Sequence, residues 1–152
     1  MTLEEYNQLD RDFAHCSRAN CERVSECLHN AAHKMLAKNT RESYAVANPA
    51  VITGAQPCPL FTPDHKERYA WGISHIYDNV RVADLDNIRH HLICTFGRTA
   101  SYRIGREERV LTESEQQEIR DTFTNMGYDG SAIEFDRYEE QYPQLMRTYK
   151  LL

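Results

Sequence analysis

The chain has 152 residues, 41% hydrophobic and 27% charged, with 18 basic against 23 acidic side chains and a net charge of -5. That composition suits one folded domain with a single proper core, and no apolar run approaches the roughly 18 residues needed to cross a bilayer. The acidic start, MTLEEYNQLDRDF, lacks an apolar signal region, so a cytoplasmic protein is expected, with its cysteines reduced and, where clustered, more suited to metal than to disulfides.

Residues 2–12 predict a short polar helix or an arm. Glu22 to Lys38 predicts a helix with Val24, Cys27, Leu28, Ala31 and Met35 along one side. From Asn39 to Pro63 the chain reads as loop, since prolines at 49, 57, 59 and 63 remove backbone donors. Thr62 then stands as an N-cap with Pro63 at the first helical position. Tyr69, Ile73, Ile76, Tyr77 and Val80 follow at helical spacing, which predicts an amphipathic helix.

A second helix is expected from Asp84, with Leu85, Ile88, Leu92 and Phe96 inward and Gly97 as the C-terminal stop. The two helices would pack as an antiparallel pair. Residues 99–111 fit either a short helix, Thr99 to about Ile104, or a hairpin; the helix is the favoured reading. Thr112 and Glu115 form a capping box that opens another helix, with Ile119, Phe123 and Met126 inward and Gly127 at its end. Ile133–Phe135 predicts a short strand, and Tyr138, Tyr142, Leu145 and Tyr149 predict a last helix interrupted by Pro143. The expected fold is therefore mainly α. It is one domain, 1–152, with a cysteine-rich metal-binding module over 14–60, a helical core over 62–127 and an acidic, aromatic closing segment over 128–152.

Cys16, Cys21, Cys27 and Cys58 fall three together and one apart. Four soft thiolates are what a structural Zn(II) site needs, and the distant ligand would staple a loop to a helix. His15, His29 and His33 are close enough in sequence to replace one thiol. An iron–sulfur cluster is the alternative, because Cys58-Pro59 resembles the Cys-Pro ending of ferredoxin-type motifs. Unligated, buried thiols are the bland reading. Cys94 stands apart and reads as a bystander.

The charge is uneven. Between Arg89 and Arg109 five arginines face two glutamates, whereas from Thr112 onward nine acids face four bases. The stretch Asn87 to Gly127 resembles the helix-turn-helix of phage-repressor-like proteins, in an amphipathic helix ending at Phe96-Gly97, a Thr/Ser turn, a short helix with Tyr102-Arg103 and a capped following helix. The resemblance implies a recognition helix presenting Arg98, Ser101, Arg103 and Arg106 to DNA. Ile93 and Gly105 depart from that family's pattern. The competing reading pairs Arg103, Arg106 and Arg109 with Glu107, Glu108 and the acidic third.

Most of the chain is also similar to an uncharacterised family of small four-cysteine proteins from anaerobic gut bacteria. The likeness lies in His15-Cys16, Cys21, Cys27-Leu28, Asn48-Pro49, Cys58-Pro59, Ala70-Trp71-Gly72, Phe96-Gly97, Tyr102-Arg103, Glu108-Arg109 and Phe135-Asp136-Arg137-Tyr138. It supplies no activity.

No phosphate loop, G-x-S-x-G, H-E-x-x-H or C-x-x-C is present. His90 and Cys94 are one helical turn apart but have no oxyanion or substrate group beside them, so no catalytic constellation is recognised. The expectation is a zinc-stabilised cytoplasmic regulatory protein that binds nucleic acid. The alternatives are a metal-binding adaptor for a protein partner, with Trp71 and the tail tyrosines as anchors, or an iron–sulfur sensor.

Overall fold

Glu67–Trp71 is extended, not helical, in the computed structural model, which describes residues 1–150. Three consecutive side chains, Tyr69, Ala70 and Trp71, are buried, which one face of a helix cannot achieve. Instead they alternate. Tyr69 and Trp71 pack with Val110, while Ala70 joins Leu111 and Ile88 in the main core, as the period of two in a strand requires. Ile73, Ile76, Tyr77 and Val80 reach that core from an irregular turn, so their helical spacing was coincidental. The antiparallel helix pair expected from this stretch is thereby replaced by a strand and one helix.

This strand, β1, pairs antiparallel with β2 (Arg137–Gln141), in the register Glu67 with Gln141 through Trp71 with Arg137. The expected last helix is thus a strand at its start, and Ile133–Phe135, expected as a strand, lies outside it. The sequence RYEEQ has little strand propensity, and the ladder together with cross-strand contacts overrides it. Arg68 lies 3.9 Å from the Tyr138 ring centre and the Trp71 indole donates to Glu139 at 3.1 Å. On its other edge β1 exchanges two backbone bonds with Leu111. Five α-helices and a two-stranded sheet among the described residues make the fold mixed α and β, correcting the mainly α expectation.

The contacts sort the chain into two units. The first comprises Met1–Lys66 with Tyr142–Leu145. It holds α1 (Leu3–Gln8), capped by Thr2 and Glu5 in a reciprocal box, and α2 (Leu28–Lys34) between two 3-10 turns, Val24–Glu26 and Leu36–Lys38. The long helix expected from Glu22 is broken at Cys27. There the backbone is extended and bridges to Pro63, with Leu28 N–H donating to Thr62 and Asp64 N–H to Glu26. Its buried cluster is small: Tyr6, Leu9 and Ala32.

The second unit comprises Glu67–Gln141 and the segment from Met146. With the sheet it contains α3 (Val82–Phe96), α4 (Arg98–Gly105) and α5 (Glu113–Asn125). Here the predicted boundaries hold: Gly97, at φ 84°, ends α3, and Thr112 and Glu115 cap α5 as a box. Gly72 sits at φ 77° with the Asp136 carboxylate so close that a Cβ would collide with it. That carboxylate accepts from Ser74 N–H. No helix is long and apolar enough to cross a membrane among the described residues.

Candidate metal centre

Cys16, Cys21, Cys27 and Cys58 line one small cavity of about 20 Å³ in the first unit, all four half-buried and unpaired. Three separate pieces of backbone bring them there. The His15–Ala47 segment pairs His15 with Val46, and Cys16 N–H donates to His29 at the start of α2. The break at Cys27 carries that thiol to the base of α2. The loop through Gly54 and Gln56 delivers Cys58, whose N–H donates to the Gln56 side chain at 3.3 Å.

Polar groups gather at the same place. Gln56 Nε2 lies 3.3 Å from Cys21 Sγ, a donor directed at sulfur. Arg18 lines the cavity while its guanidinium donates to the carbonyls of Ile52 and Pro49 at 2.8 and 2.9 Å. Asn30 also lines it; its amide donates to the Cys16 carbonyl, and its Oδ1 is buried without a partner. Among the described residues no group of three or more His, Cys, Asp or Glu side chains is arranged to hold a metal ion as it stands.

Of the histidines that could have replaced a thiol, His29 lines the same cavity, but the ring nitrogens of both His29 and His15 are held in hydrogen bonds. His15 donates from Nδ1 to the Ala45 carbonyl at 2.9 Å, which leaves Nε2 to accept from the Tyr6 hydroxyl at 2.8 Å. His29 contacts the Ala14 carbonyl through Nδ1 at 2.6 Å and Thr62 Oγ1 through Nε2 at 3.0 Å, and it stacks on Phe13. Burial holds its pKa below the ordinary value; the Ala14 bond opposes the shift and the charge of His15 adds to it. His33 lines an adjoining cleft with Tyr44, which Cys16 and Arg18 also border.

The residues expected at a nucleic-acid surface divide. Arg98, Arg103 and Arg106 are exposed. Arg103 lies 5.0 Å from the Tyr149 ring centre and Arg106 sits 3.9 Å from Glu108, a loose pair. Ser101 is half-buried and spent on the Gly97 and Leu92 carbonyls. α3 and α4 are joined by Gly97 alone, whereas a helix-turn-helix uses a turn of about three to four residues. Arg109 is not a surface group: it pairs with Glu115 at 2.5 Å, both largely buried, and its Nε and Nη1 lack partners. Cys94 is exposed, its sulfur 3.5 Å from His90 Nε2.

Residues 1–144 match a family of unknown function, DUF6078. The chain belongs to that family. No curated protein and no solved structure matches it. Beside its cysteines this DUF6078 chain places Arg18 and Asn30 in the cavity wall and Gln56 against Cys21. No spacing rule marks these three, because the loop path rather than a periodic element brings them in. Only the position of Gln56 two residues before Cys58, in a Gly/Pro-rich loop, hints at a part in holding that thiol.

Proposed function

We propose that the chain is a zinc-stapled binding protein of a reducing compartment, in which Cys16, Cys21, Cys27 and Cys58 hold one structural zinc ion. The observation that supports this reading is the meeting at a single cavity of three free thiols close in sequence and a fourth, Cys58, from far along the chain. Four thiolates around Zn(II) leave a doubly negative centre. Gln56 and Arg18 supply the donor and the positive charge that such a centre needs from its surroundings. Loading draws the sulfurs inward to bonding distance, and four protein ligands leave no open position, so the ion's role is structural.

Elemental analysis of protein purified without chelator tests this. About one zinc per chain and no visible charge-transfer band is the expected result. Iron with such a band replaces zinc by a cluster, and absence of stoichiometric metal returns the cysteines to the core.

A second reading, DNA binding through α4, is favoured by the exposed heads of Arg98, Arg103 and Arg106 on a segment without acids from Arg98 to Arg106. Binding to duplex DNA that weakens steeply with salt, and less steeply in Arg103→Ala/Arg106→Ala, supports it. Unchanged affinity and slope in that variant reject it.

A further inference from the structure

We propose that the second unit binds a small amphipathic carboxylate in a cleft beside α3 and α4. The cleft measures about 210 Å³, and its lining includes the buried side chains of Leu92, Ile104 and Ile119. Its existence follows from the one-residue junction at Gly97. α4 turns away from α3 at once, so Ile93 and Phe96 are left half-buried at the edge of the opening and Tyr102 stands 62% exposed beside it. Apolar surface shaped as a concavity is the usual form of a ligand site.

Charge selects the occupant. Among the described residues Arg89 is the one charged side chain that lines the cleft, and no carboxylate does. Its guanidinium lies 5.3 Å from the Tyr77 ring centre, and its ion pair with Asp86 spans 3.8 Å on a fully exposed acid. Exposed pairs of that kind contribute little, so the guanidinium is available to a ligand that offers two oxygens in a plane, as a carboxylate does. Tyr102 adds a hydroxyl to the lining, whereas the Ser101 hydroxyl there already donates to the Gly97 and Leu92 carbonyls. The volume falls below the roughly 300 Å³ at which pockets for drug-sized molecules begin. The ligand class is accordingly a monocarboxylate with a short acyl chain or a single ring. The zinc site lies in the other unit, so this proposal stands or falls without it.

The test is an NMR titration of the full chain as purified with octanoate, octan-1-ol as the neutral control. Saturable shifts centred on Ile93, Phe96 and Ile104 are expected, with octan-1-ol weaker by about tenfold or more, as the loss of a charge-assisted hydrogen bond implies. Arg89→Gln, at an exposed position, is expected to bring octanoate down to the alcohol's affinity. Ile93→Trp is expected to fill the opening and abolish both. Equal binding of acid and alcohol, or an Arg89→Gln chain that binds octanoate as before, overturns the carboxylate assignment. No shifts at millimolar octanoate overturn the site itself. Shifts of the same residues on dilution without ligand would mean that a second copy of the chain covers the cleft, and the proposal fails.

Discussion

Between Met1 and Lys66 the largest buried cluster holds three side chains, whereas between Glu67 and Gln141 it holds ten. The first unit buries His15, His29 and Asn30, all three polar, and its two α-helices have six and seven residues. The second has helices of fifteen and thirteen residues packed beside a sheet. Isolated helices that short are unstable in water, and a small apolar cluster does not offset the entropy of ordering so much loop. A cross-link is what such a unit requires, and the zinc ion proposed at the four-thiol cavity would provide it. Under that proposal the chain combines two ways of stabilising a fold, one by burial and one by ligation.

The largest expected effect separates the two directly. Structural zinc contributes on the order of 10–16 kcal/mol in apparent binding free energy, comparable with or greater than the roughly 5–15 kcal/mol that stabilises a whole domain. Chelation, or Cys58→Ser, is expected to collapse the amide resonances of α1 and α2 while those around Ile88 and Phe123 keep their dispersion. Resonances that survive equally in both units would show that the first unit does not depend on an ion.

The converse test strikes the apolar core. Phe123 is 2% exposed and touches the core from α5, with Tyr77 and Tyr128 rings about 6.3 Å away. Phe123→Ala should cost about 3–5 kcal/mol, read by denaturant unfolding of the second unit, with the zinc content unchanged. A cost under about 1 kcal/mol would mean that the site collapses around the missing ring.

The contrast also explains what the sequence could disclose. α3, α4 and α5 were legible because local chemistry specifies them: a glycine at positive φ after α3, and a box of Thr112 and Glu115 before α5. β1 was hidden because Tyr69, Ile73, Ile76, Tyr77 and Val80 satisfy a helical period while only the first lies in a regular element. The buried run Tyr69-Ala70-Trp71-Gly72 was the signal that favoured a strand. β2 was hidden for another reason: its charged residues acquire strand structure only from the partner across the ladder, which no local pattern reveals. In the first unit the four cysteines expected as a group line one cavity, but the donors around them sit on irregular backbone, where spacing carries no information.

A smaller effect comes from pH. Because burial keeps the His29 pKa below its ordinary 6.5, the folded state resists a proton that the unfolded state accepts. Stability is thus full above pH 6.5, declines as pH falls below it, and stops declining from this cause once the folded pKa is passed. Glu5 also loses stability towards acid, but in a lower window. Burial raises its carboxyl, yet the bonds from Lys66 and Thr2 outweigh that and leave it below 4.5. In His29→Gln the decline just below pH 6.5 should flatten, whatever the variant's overall stability. An unaltered slope would assign the dependence to other groups.

The smallest expected effect uses one motif that both units share. Thr2 with Glu5 and Thr112 with Glu115 form the same reciprocal box, and each glutamate also holds a cation at 2.5 Å, Lys66 in one case and Arg109 in the other. The local bonds are alike, so any difference in outcome reports on the helix behind them. α5 carries Gln116, Ile119, Thr122 and Phe123 into the interior, and unwinding its first turn loosens that packing. Thr112→Ala should therefore show most of the roughly 1 kcal/mol that an N-cap contributes. α1 buries Tyr6 alone and ends within two turns, so its first turn can fray while the remainder of the unit stays folded. Thr2→Ala should lower global stability by only a few tenths of a kcal/mol, about the size of a cap lost from a fraying end. Equal costs for the two substitutions would mean that α1 unfolds cooperatively with its unit, and the contrast between ligation and burial would then stop short of the N-terminal helix.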